Sequence, residues 1–167
     1  MAAMSDQPTS DAAIGRGPDK LLAIGIYGET VAAYRYTVLS EKAPTESYRK
    51  EFADMADEEQ GHKELLQGLL ADLYPDADFV LTPEDKELVI TGTRMIEVKD
   101  AESFAEAMRM ILHTERKTAR FYANHARHMP QKNQRDLFQS LAEEGADHYQ
   151  RLKTIARQAG VTEFSED

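Results

Sequence analysis

The 167-residue chain contains no cysteine. That absence removes disulfides, thiolate metal sites, iron–sulfur clusters and thiol nucleophiles together, so any metal must be held by oxygen and nitrogen. Positive charge is also in short supply, with 20 Lys and Arg against 30 Asp and Glu and a formal net charge of -10. A nonspecific nucleic-acid binder needs a basic face to displace counterions, and this balance argues against that class. The opening stretch MAAMSDQPTSDAAIGRGPDK lacks both a continuous apolar core and the charged-then-apolar order of a signal peptide. The expectation is a cytoplasmic protein with neither a membrane nor a nucleic-acid partner. The length suits one domain with a real core and is short for two.

The prolines act as punctuation. After Pro18 four long segments carry helical periodicity, at about 19–42, 45–74, 100–129 and 131–158, with Pro44, Pro75 and Pro130 at the breaks and Gly160 as a C-terminal stop. Thr45 and Asp100 are cap residues for the second and third. Residues 1–18 read as a disordered N-terminal segment, 19–160 as the domain and 161–167 as a tail. The connection DADFVLTPEDKELVITGTRMIEV between the second and third segments is too long for a tight turn. It accommodates either a short helix after Thr82 or an extended piece.

An internal repeat runs through these segments without a gap. Adding 86 takes Glu29 to Glu115, Tyr36 to Tyr122, Pro44 to Pro130, Phe52 to Phe138, Glu58 to Glu144, His62 to His148 and Leu66 to Leu152. Two like hairpins packed face to face would put matched residues around a pseudo-twofold axis, and a site on that axis would be paired. Short links within each half and one long link between them give an all-α fold, a four-helix bundle of two antiparallel hairpins joined by one long crossover. That is the ferritin-like connectivity.

The inner stripes carry the chemistry. Phe52, Met55, Glu59, His62, Leu66, Leu69 and Leu73 follow three-four spacing on one helix face, and the only polar members are a carboxylate and an imidazole one turn apart. Leu22, Ile26, Glu29, Ala33 and Tyr36 place one glutamate on the first stripe. Phe104, Met108, Ile111, Glu115, Ala119 and Tyr122 do so on the third, and Leu137, Leu141, Glu144, His148, Leu152 and Ile155 bring a glutamate and a histidine on the fourth. Inward carboxylates at close range cannot all stay ionised without a cation. The stripes contain no lysine or arginine to provide one, which weakens a salt-bridge network as the explanation. Two divalent ions would balance the charge, and glutamate with imidazole suits iron or manganese, with zinc also able to occupy such ligands.

One glutamate from each of two helices, with Glu-x-x-His from the others, is similar to the di-iron carboxylate pattern of ferritin-like proteins. The segments GETVAAYRY, ADEEQGH and TERKTARFY resemble the rubrerythrins over roughly residues 21–159, apart from the crossover. The resemblance implies Glu29, Glu59, His62, Glu115 and His148 as ligands of two iron ions, with Tyr36 and Tyr122 beside them. On the fourth helix the pattern departs: three residues before His148 stands Gly145, so Glu144, four before it, is the preferred ligand and Asp147 the alternative. Thr118 occupies the position where rubrerythrins carry a further glutamate. The resemblance implies an oxidoreductase that reduces peroxide or dioxygen. With no cysteine-bound iron module in the sequence, it would draw on an external electron donor. A homodimer is the expected assembly. Two other functions fit the same residues: iron oxidation or storage, and a metal-free binding module.

Overall fold

Proline and cap chemistry set the helix boundaries. The computed structural model describes residues 16–78 and 80–164. Helix α1 (Pro18–Lys42) opens on Pro18, where the missing N–H costs nothing, and stops at Ala43 ahead of Pro44. Helix α2 (Glu46–Leu73) starts under Thr45, whose hydroxyl accepts from the Tyr48 N–H at 3.1 Å. The crossover contains α3 (Pro83–Glu87), a single turn closed by a reciprocal capping box between Thr82 and Asp85. Asp100 and Ser103 form the same device at the head of α4 (Ala101–Ala126). Helix α5 (Lys132–Gln158) ends at Gly160, which takes φ 75°.

One helix boundary departs from the periodicity. Helix α4 ends at Ala126, three residues short of the expected Met129, because Pro130 disfavours helical geometry in the residue before it. Residues 127–129 instead turn, with His128 and Met129 donating to the carbonyls of His125 and Ala126. Of the expected disordered segment, 1–15 lies outside the described residues. Arg16 is tied to the buried Asp85 of α3 at 2.8 Å. In the expected tail, 165–167 lies outside the described residues, while Val161 is buried.

Helices α1 and α2 form one antiparallel hairpin and α4 and α5 the other, and the crossover carrying α3 joins them. Among the described residues there is no strand, and no helix is long and apolar enough to cross a membrane. The interior divides into two apolar clusters. Tyr36, Leu39, Phe52, Met55, Phe104, Met108, Leu152 and Ile155 make one. Leu22, Ile24, Leu66, Phe121, Tyr122, Phe138 and Leu141 make the other. On every long helix the charged inner residue falls between these groups: Glu29 between Leu22 and Tyr36, Glu59 and His62 between Met55 and Leu66, Glu115 between Met108 and Tyr122, His148 between Leu141 and Leu152. Full burial of each large apolar side chain contributes about 1.5–3 kcal/mol, so the layers on either side hold the polar middle in place.

Candidate metal centre

Side-chain oxygens and nitrogens converge at mid-bundle in two overlapping triads. One ligand atom each from Glu29, Glu59 and His62 lie within 4.8 Å of one another, and so do atoms of Glu59, Glu115 and His148. Glu59 belongs to both. Its Oε2 lies 3.7 Å from Nδ1 of His62 and its Oε1 lies 2.7 Å from Nδ1 of His148. Glu29 Oε2 stands 3.6 Å from His62 Nδ1, and Glu115 Oε1 stands 3.6 Å from His148 Nδ1. The imidazoles lie 6.3 Å apart and nearly parallel. Glu29, Glu59, Glu115 and His148 are buried, and His62 leaves 12 % of its side chain exposed.

The pseudo-twofold continues around the triads. Tyr36 donates from its hydroxyl to Glu115 Oε1, and Tyr122, its counterpart 86 residues on, donates to Glu29 Oε1 at 2.8 Å. On the outer side, Nε2 of His148 meets the carboxylate of Glu58, and Nε2 of His62 meets that of Glu144. Each histidine therefore turns Nδ1 inward and has Nε2 oriented by a half-exposed glutamate from the opposite hairpin, an arrangement that fixes tautomer and ring orientation. The structure thus brings together Glu29, Glu59, His62, Glu115 and His148, with Tyr36 and Tyr122 against their carboxylates. It places Glu144 outside both triads, on the solvent side of His62. Asp147, the alternative considered for that helix, lines the outer groove with Glu58 and Arg151.

The symmetry breaks at Gly145, the counterpart of Glu59. A Cβ built there would lie 3.1 Å from Cβ of Ala119. Three buried carboxylates remain, one shared, instead of four.

Charge in this pocket is balanced by protons. Burial, followed by the charge of Glu59, lifts Glu29 well above the ordinary carboxylate range. Burial likewise raises Glu115. Burial would also raise Glu59, but the close approach of Glu29, His148 and His62 outweighs it and holds Glu59 below the usual range. Burial alone would lower both histidines; instead Glu29 and Glu59 push His62 up to about 10, and Glu115 and Glu59 push His148 up to about 11. Burial and the neighbouring carboxylates keep both tyrosines protonated, as hydrogen-bond donors.

The donor set fits a pair of metal ions. Glu29 Oε2 is buried without a hydrogen-bond partner, 3.6 Å from His62 Nδ1, and His148 Nδ1 faces Glu59 Oε1 at 2.7 Å as an ion pair out of hydrogen-bond alignment. A buried orphan such as Glu29 Oε2 costs about 1–3 kcal/mol, a cost that coordination would remove. Beside the triads a cavity of about 20 Å³, sized for one water, is walled by Gly28, Ala32, Arg35, Thr114, Thr118 and Gly145.

Two residues of this neighbourhood escaped the sequence reading. Arg35 is 1 % exposed and stands beside the cavity, although no basic residue was expected on the inner stripes. It answers backbone carbonyls of the crossover rather than the carboxylates, which no periodicity reveals. Glu58 was visible as the repeat partner of Glu144, and that pairing was the available signal.

Searching the curated proteins returns no match. Among solved structures the chain is similar to a hypothetical protein from Pyrococcus furiosus, with a TM-score of 0.76 at 22 % identity, covering 86 % of this chain and 90 % of that one. It is also similar to KatB, a manganese catalase from Anabaena, with a TM-score of 0.68 at 18 % identity, covering 100 % of this chain and 85 % of that one. At such identities these likenesses speak for the helical fold. The rubrerythrin family profile reaches further, matching residues 20–156 and so taking in α1 to α5 and every member of both triads. With this ferritin-like bundle and its buried glutamate and histidine clusters, the chain belongs to the rubrerythrin family.

Proposed function

We propose that the protein holds two ions of iron or manganese in the two triads and reduces hydrogen peroxide or dioxygen with electrons from an external donor. The observation that carries this reading is the shared carboxylate of Glu59, one oxygen toward each triad. Two sites coupled through one side chain suit a two-electron reaction better than two independent structural ions would. When bound, the ions supply the redox chemistry, which no side chain here can perform.

The chain's own residues set the terms. Glu29, Glu59 and Glu115 carry the negative charge that selects cations, and the inward Nδ1 atoms of His62 and His148 complete each triad. The Tyr36 and Tyr122 hydroxyls fix the rotamers of Glu115 and Glu29 and hold protons beside the cavity. Reducing one peroxide to two waters breaks the O–O bond and consumes two electrons and two protons. The donor supplies the electrons.

Disproportionation of peroxide is the second reading, favoured by the likeness to a manganese catalase over the whole chain. It needs no donor, since one peroxide reduces another. Both readings are tested by loading the protein separately with iron and with manganese, measuring metal content, and following peroxide and dioxygen together. About two metals per chain, with peroxide consumed only when a reductant is present, supports the reductase. Dioxygen released at half the rate of peroxide loss, without a reductant, supports disproportionation. Loaded protein that consumes neither peroxide nor dioxygen refutes both. Solution mass bears on the assembly: a homodimer accords with an enzyme, whereas a large closed shell would turn the assignment to iron storage.

A further inference from the structure

The bundle has two seams where the hairpins meet, and they differ. Along α2 and α5 an open groove runs past Glu58, Glu144, Asp147 and Arg151 to the outer edges of both histidines. Along α1 and α4, on the cavity side, the crossover segment 89–94 lies across the seam, and its backbone is fastened from both helices. The Val89 carbonyl accepts from Thr118 Oγ1 at 3.2 Å and the Ile90 carbonyl from Lys117 Nζ at 3.2 Å, both on α4. From α1, Arg35 donates to the carbonyls of Thr91 at 3.0 Å, Thr93 at 2.6 Å and Arg94 at 3.4 Å. Its remaining nitrogen reaches Thr114 Oγ1 on α4 at 3.2 Å.

These carbonyls belong to a stretch without regular structure, so the side-chain donors take the place of a sheet or helix partner. Close packing reinforces them. A Cβ at Gly28 would come within 2.9 Å of Cβ of Val89. Gly92 turns with φ 69° over Met110, whose sulfur would lie 2.6 Å from a Cβ there. Gly28, Arg35, Thr114 and Thr118, which touch or fasten the segment or one another, are also walls of the 20 Å³ cavity next to the triads.

We propose that residues 89–94 form a fixed seal over the α1–α4 seam, fastened by Arg35, Lys117 and Thr118, which bars alkyl hydroperoxides from the cavity side of the centre and leaves hydrogen peroxide and diatomic ligands as its substrates there. Arg35 is then a positioning residue that sets substrate size through the segment it holds. The substrate limit rests on the peroxide reading above, whereas the seal does not.

The test uses the metal-loaded full chain and a Lys117→Met, Thr118→Val double variant, which removes two donors while keeping side-chain volume. Thr118→Ser, which retains the hydroxyl, is the control, and Arg35→Lys is a second variant that keeps the charge and loses the fork. Three quantities are read: deuterium uptake over 89–94, the rate at which a chelator strips the metal, and the ratio of kcat/KM for tert-butyl hydroperoxide to that for hydrogen peroxide. Losing two hydrogen bonds should raise all three by about tenfold in the double variant. Thr118→Ser should match the wild type. Uptake and stripping that stay at wild-type rates in both the double variant and Arg35→Lys would overturn the seal. A wild type that handles both peroxides equally well would overturn the size limit. If the loaded wild type consumes no peroxide, the peroxide reading falls and the size limit with it, and uptake and stripping still decide the seal.

Discussion

Glu59 and Glu144 are both glutamates near His62, yet they stand in different relations to the centre. Glu59 is 5 % exposed and shared between the triads. Glu144 has a side chain 46 % exposed and meets only the outer nitrogen of His62. Glu59→Gln should therefore reduce bound metal from about two per chain to less than one. Glu144→Gln should keep both ions with affinity lowered about 10- to 100-fold, the usual cost of removing a residue that orients a ligand. Elemental analysis and competition with a chelator of known strength distinguish the two. Loading also has a proton signature. His62 and His148, held at about 10 and 11, are charged at pH 7 and must release protons to coordinate. The expected result is at least about two protons released per loaded chain, with Glu29, whose pKa is also raised, adding to the count, read from the buffer dependence of the calorimetric enthalpy, and weaker binding as pH falls. Three-four spacing made Glu29, Glu59, His62, Glu115 and His148 legible, because an inward charge stands out on an apolar stripe. Glu144 satisfies the same spacing, but a step of four to His148 and the glycine at 145 leave it outside, a distinction of about one residue's rotation that periodicity does not resolve. Arg35 was illegible because its partners are backbone carbonyls 56 to 59 residues away.

At the level of single elements, the hairpin helices were readable from prolines and caps, while the crossover was readable only as far as the short helix after Thr82, one of two alternatives. Its order comes from side chains on other helices and from one buried carboxylate. Asp85 is 1 % exposed and bonded to Arg16 at 2.8 Å, to Lys20 at 3.0 Å and to the Thr82 N–H at 2.9 Å. Burial would raise its pKa, but those partners outweigh burial and depress it well below the normal value. A depressed carboxylate contributes stability above its unfolded pKa, about 3.9, and loses that contribution as pH falls toward its folded value. Asp85→Asn should accordingly cost about 1–3 kcal/mol at pH 7, and the gap between variant and wild type in urea unfolding should begin to narrow below about pH 4 and shrink further as pH falls. Helix α2 offers an opposite case. Gly61 and Gly68 lie inside the helix with nothing within 4 Å of a built Cβ. Alanine at either position should raise stability by about 0.5–1 kcal/mol, since it lowers the entropy of the unfolded chain without a clash. Gly145→Ala should gain less, because its Cβ would press on Ala119 at 3.1 Å.

For the molecule as a whole, the replacement of a fourth carboxylate by Gly145 has a mechanical result. Glu29, Glu59 and His62 all come from the α1–α2 hairpin, so an ion in that triad ties the hairpin to itself. The other triad takes Glu59 from α2 but Glu115 and His148 from the α4–α5 hairpin, so an ion there links the two halves. With a glutamate at 145, both ions would have had a ligand from the opposite half. Loading at about 100 times the dissociation constant stabilises the fold by about 2.7 kcal/mol per site. In a chain of this size each such site should raise Tm by about 5–10 °C. His62→Ala and His148→Ala each weaken one triad, and the Tm difference between loaded and chelated protein, taken within each variant, cancels what the substitution does to packing. The linking site should matter more to separation of the hairpins. His148→Ala should therefore lose the protection from hydrogen exchange that loading gives to the α2–α5 seam, while His62→Ala retains it even where the two variants lose similar amounts of Tm. Equal loss of seam protection in both would mean that the ions act as one unit through Glu59, and that the division between the hairpins carries no mechanical weight.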